Sequence, residues 1–65
     1  MTELSLEKVL SLLGAQHIKG SDKELNMLCI RIGELVELNG EEWVKESRQT
    51  LLDEWEYIVS QGIIC

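Results

Sequence analysis

The chain has 65 residues, 45% of them apolar, no proline and a formal net charge of −6. That length holds one domain, the apolar fraction excludes a disordered chain, and the charge disfavours direct contact with nucleic acid or an anionic membrane. A chain of this size buries only ~60% of the surface it exposes when unfolded, and one such core rarely supplies more than about 3–5 kcal/mol.

The first predicted helix covers about residues 5–18. Ser5 or Thr2 offers the capping hydroxyl. Leu6, Val9, Leu10, Leu13 and His17 fall on one arc at about 100° per residue, and Leu12 falls off it. Gly14 has two readings: it ends the helix as a C′ glycine, or the helix crosses it and continues.

The second helix spans about residues 22–38. Ser21-Asp22-Lys23-Glu24 reads as a capping box, with Asp22 and Glu24 at the positive end of the helix dipole. Leu25, Leu28, Cys29, Ile32, Leu35 and Val36 form its apolar stripe. Asn39-Gly40 ends it, where a positive φ is tolerated.

The third helix spans about residues 41–61. Glu41 and Glu42 occupy its first turn, and Gly62 stands where a C′ glycine belongs, with Ile63 placed for the contact that follows. Its stripe is Val44, Leu51, Leu52, Trp55, Ile58 and Val59. The short connection at Asn39-Gly40 makes helices 2 and 3 an antiparallel αα-hairpin, with helix 1 packed across it. The expected fold is all-α: one small three-helix domain. Leu28, Ile32 and Leu35 should be buried against Leu51, Trp55 and Ile58. No segment alternates with period two, so no strand is expected.

Apolar residues remain after these stripes are drawn. Met27, Ile30 and Leu38 lie off the stripe of helix 2. Trp43, Thr50 and Tyr57 are seven residues apart and line a seam roughly 100° from the main stripe of helix 3. Two arrangements absorb them. Helix 2 lies sandwiched between its neighbours, or the surplus surface meets a second copy of the chain. Trp and Tyr suit an interface, because they bury much area with little entropy loss.

The charge is uneven. Residues 1–33 hold four acids and four bases, while residues 34–65 hold eight acids against Lys45 and Arg48 and carry the whole −6. Glu41 and Lys45 form a favourable i,i+4 pair. Glu42 and Glu46 are a like-charge pair at the same spacing, which costs a few tenths of a kcal/mol and marks a place where negative charge is wanted.

Groups for chemistry are sparse. His17 is the one histidine, with no nucleophile or orienting acid beside it in sequence. His17, Cys29 and Cys65 show no metal-ligand spacing, and Cys29 sits in an apolar stripe where a small thiol packs without further role. No phosphate loop is present. These features predict no enzyme, no cofactor and no metal. They predict an interaction module, homo-oligomeric, whose partner-binding residues are Trp43, Thr50, Tyr57, Glu42 and Glu46. The alternative is an acidic decoy that takes the place of nucleic acid in the basic groove of a partner protein. No leader peptide or membrane span is expected, and two unpatterned cysteines suit a reducing cytoplasm.

Overall fold

The computed structural model of the chain describes residues 3–62. It holds four α-helices: α1 (Leu6–Leu13), α2 (Asp22–Asn39), α3 (Glu41–Glu46) and α4 (Arg48–Gln61). The fold is all-α, with no strand among the described residues.

Ser5 caps α1, its side chain accepting from the Lys8 amide at 3.3 Å. The helix then ends at Leu13, five residues short of the expected boundary at residue 18. Gly14 takes the left-handed conformation (φ +66°), and its N–H reaches the carbonyls of Leu10 and Ser11. Of the two readings of Gly14, the C′ glycine is the correct one. The buried arc is also rotated from the expected one. His17 lies outside the helix, and the arc centres on Val9, Leu12 and Leu13, all 2% exposed or less. Leu12 is a core residue, while Leu6, at the middle of the expected arc, is exposed.

The capping box of α2 is complete. Ser21 Oγ accepts from the Glu24 amide at 3.3 Å, and Glu24 Oε1 accepts from the Ser21 amide at 2.8 Å. The helix stops where Gly40 adopts φ +91° and donates to the Val36 carbonyl at 2.8 Å.

The expected helix over residues 41–61 is interrupted. Ser47, at φ −94° and ψ 7°, separates α3 from α4. Bonds of the α type persist on either side, from the Ser47 amide to the Trp43 carbonyl and from the Leu51 amide to the Ser47 carbonyl, both at 3.0 Å. The Lys45 carbonyl instead accepts from Arg48 Nη1 at 2.8 Å. A guanidinium thus satisfies an acceptor at the break. The break lets both α3 and α4 lie against α1, which contacts all three other helices. The Arg48 stem also passes 3.5 Å from the position a Cβ would take on Gly14, so the end of α1 and the break abut.

One cluster forms the core: Val9, Leu12, Leu13, Ile18, Leu28, Cys29, Ile32, Val44 and Trp55. Of the six residues expected to pair across helices, Leu28, Ile32 and Trp55 are buried, and Leu35, Leu51 and Ile58 pack against them half-buried. An exposed ion pair between Arg31 and Glu54 joins α2 to α4, an arrangement compatible with an antiparallel hairpin. Helix α2 is not sandwiched, since α1 reaches α3 and α4 directly and Met27 and Leu38 remain exposed. The connection 15–21 is irregular and is held by two anchors. Ile18 is buried, and the Trp55 indole Nε1–H donates to the Lys19 carbonyl at 3.1 Å.

Candidate functional site

Two surfaces stand out. The first carries the residues expected to bind a partner. Thr50 and Tyr57 are exposed on α4. At about 100° per residue they lie roughly 150° around that helix from the buried Trp55, so they face away from the core. Trp43 is 41% exposed but stands on α3. The seven-residue spacing sets it in line with Thr50 and Tyr57 only along an unbroken helix, and the break at Ser47 divides that line. On α2, Met27 is exposed, and Leu38, at 80%, is the barest large apolar side chain of the set.

The acidic side chains of residues 34–56 are also on the outside. Glu34, Glu37, Glu41, Glu42, Glu46, Asp53 and Glu56 are all exposed. Glu41 meets Lys8 Nζ at 3.4 Å, with both side chains about half exposed. Glu42 and Glu46 form no ion pair among the described residues.

The second surface is a cleft of about 440 Å³ between the connection after α1 and helix α4. Ala15, Ile18, Leu52 and Trp55 make its apolar part. His17 and Lys19 come from the connection, and Gln49, Asp53 and Glu56 from α4. On α4 the lining positions 49, 52, 53 and 56 recur at helical spacing, so they share one face. Gln49 Nε2 donates to Asp53 Oδ1 at 3.1 Å, bracing the carboxylate. A helix 1 running through His17 hides this cleft in the sequence. The available signal was the pair of glycines, Gly14 and Gly20, which bracket a non-helical connection.

Cys29 lies elsewhere, in a shallower hollow beside Glu3, Leu4, Leu6, Asp22 and Asn26. Burial, and then the negative charge of Glu3, push its thiol above the ordinary range. A raised thiol stays neutral and is a poor nucleophile or ligand. His17 and Cys29 line different hollows, and Cys65 falls outside the described residues, as does Ile63. Among the described residues no three His, Cys, Asp or Glu side chains gather as a metal site. No helix there is long and apolar enough to cross a membrane.

Comparison with protein-family models, characterised proteins and solved structures found no match for this chain.

Proposed function

We propose that the chain is a small protein–protein interaction module, self-associating in the cytoplasm and without catalytic activity of its own. The observation that carries this reading is exposed apolar bulk on a very small molecule. Leu6, Met27, Leu38, Trp43 and Tyr57 are all exposed, Leu38 at 80% and Tyr57 at 62%. The whole accessible surface is 4469 Å². A stable interface takes ~800 Å² from each partner, so a twofold contact removes roughly a fifth of this surface from water. The same contact enlarges a core that is marginal alone. Sedimentation equilibrium across micromolar to millimolar concentration tests it. A dimer mass that Trp43→Glu converts to monomer is the expected result, and a monomer mass throughout defeats self-association.

A second reading is favoured by one observation, the exposure of Glu42 and Glu46 without an ion pair among the described residues. In this reading Glu42 and Glu46 present negative charge to a basic groove of another protein. Such a complex weakens steeply with salt, whereas an apolar contact responds little. Reversing Glu42 and Glu46 to Lys should abolish capture of a basic partner while leaving the fold intact. Retention of that partner at low salt would end the decoy reading.

A further inference from the structure

Resting on the reading of this chain as an interaction module, we infer that the cleft between residues 15–19 and α4 is a docking trough for a basic, extended peptide segment of a partner protein. Three observations converge on that occupant. The first is shape. The trough is walled by a helix and by a run of backbone, and at about 440 Å³ it has room for an apolar side chain and its neighbours. Ala15 and Leu52, both half-buried, supply the apolar contact, over a floor made by the buried Ile18 and Trp55.

The second is open backbone. The N–H groups of residues 16–20 make no hydrogen bond among the described residues. Along this run only Ile18 is buried, with Gln16, His17, Lys19 and Gly20 exposed. A backbone held in place with its donors unused is a template for pairing with another extended chain. The anchors that hold it are internal: the buried Ile18 side chain and the Trp55 indole bond to the Lys19 carbonyl.

The third is charge. Asp53 and Glu56 stand on the α4 wall, and Glu56 has no hydrogen bond or ion pair among the described residues. They face a connection carrying Lys19 and His17, in a protein whose net charge is −6. Two carboxylates against one fixed cation favour a ligand with Lys or Arg flanking its apolar residue. A second copy of this acidic chain is the poorer match. The trough adjoins the proposed self-association surface on α4, where Asp53 lies one helical turn from both Thr50 and Tyr57, while Gln49, Leu52 and Glu56 turn toward the connection.

The test is a titration of the whole protein followed by ¹H–¹⁵N NMR. The probe is a short blocked peptide of alternating lysine and valine, compared with its glutamate–valine counterpart. The lysine peptide should shift the amides of His17 to Gly20 and the Trp55 indole N–H, and the glutamate peptide should not. Asp53→Lys together with Glu56→Lys should weaken binding roughly tenfold. Both positions are exposed, so the variant should keep its helical circular dichroism. No shift, a shift confined to Trp43, Thr50 and Tyr57, an equal response to the glutamate peptide, or unchanged affinity in the double variant would each overturn the inference. Sedimentation separates this from the reading beneath it. A monomer that still shows the peptide shifts removes self-association and leaves the trough, and a dimer without them does the reverse.

Discussion

Ser21 and Glu24 each satisfy a backbone amide of the other, and those two bonds decide where α2 begins. Ser21→Ala removes one acceptor and should cost about 1 kcal/mol, within a range of ~0.5–2, read as a lowered urea midpoint. That is a large fraction of what a core this small supplies. Gly14 is constrained differently. Its φ of +66° disfavours any L side chain, although the Arg48 stem at 3.5 Å leaves ordinary contact distance. Gly14→Ala should therefore destabilise by roughly 1–2 kcal/mol through backbone strain rather than through a clash. Cys29 makes a kinetic prediction. Its thiol is raised in the folded state by burial and then by Glu3, so the neutral form predominates near neutral pH. Alkylation of Cys29 should be slow in the native protein and fast in denaturant, with peptide mapping to separate it from Cys65. The linked stability is fully present below the unfolded thiol's pKa and is lost as pH rises through the higher folded value. The midpoint of thermal unfolding should thus fall on the alkaline side, and Cys29→Ala should remove that part of the fall.

At the scale of elements, α1 is the piece against which the others are assembled. It is only eight residues long, yet it supplies Val9, Leu12 and Leu13 to the core. Leu12→Ala or Leu13→Ala should cost about 2–5 kcal/mol, enough to unfold the domain at room temperature. Far-ultraviolet circular dichroism reads the outcome, and a fully helical Leu12→Ala protein would show that α1 is dispensable. Arg48 acts at the break between α3 and α4. Arg48→Ala leaves the Lys45 carbonyl to water and should cost about 1 kcal/mol. Much of this scale was legible in the sequence, because caps and glycines are local devices. The capping box of α2, the stop at Gly40 and the left-handed Gly62 after α4 all stand where residue chemistry places them. The break at Ser47 was not legible. Lys45-Glu46-Ser47-Arg48 contains neither Gly nor Pro, and the interruption sits where Arg48 abuts the end of α1, a long-range contact that no local pattern encodes. The burial of Leu12 was missed for a related reason. The arc through Leu6, Val9, Leu10 and Leu13 has nearly the same centre with or without His17, and which of its sides meets the other helices is again a tertiary fact. The trough went unseen as well, since it exists only because residues 15–21 are not helical.

At the scale of the whole molecule, charge and apolar exposure oppose one another. All of the net −6 arises in residues 34–65, the half that also exposes Leu38, Trp43 and Tyr57. Two copies meeting through that half bring like charges together, so added salt should leave an apolar dimer intact and strengthen it only slightly by screening their repulsion. A decoy complex with a basic partner should respond in the opposite sense. Sedimentation in low and high salt therefore reads both proposals from the same protein. If the dimer forms, thermal stability should rise with protein concentration, by mass action. Trp43→Glu should remove that dependence and leave a monomer whose stability no longer varies with concentration. Of the candidate surface, the acidic exposure was legible from composition. The alignment of Trp43 with Thr50 and Tyr57 was not, because it presumed one continuous helix.

The two tryptophans give this molecule a built-in pair of optical reporters. Trp55 is 4% exposed with its indole N–H engaged by the Lys19 carbonyl, while Trp43 is 41% exposed on the outer face. Emission from the first should be blue-shifted and resist quenching by iodide. Emission from the second should be red-shifted and readily quenched. Loss of the blue component then tracks unfolding, and protection of the red component tracks occupancy of the outer surface. Each signal is isolated by replacing the other indole with phenylalanine, so folding and association can be followed in one cuvette without an added label.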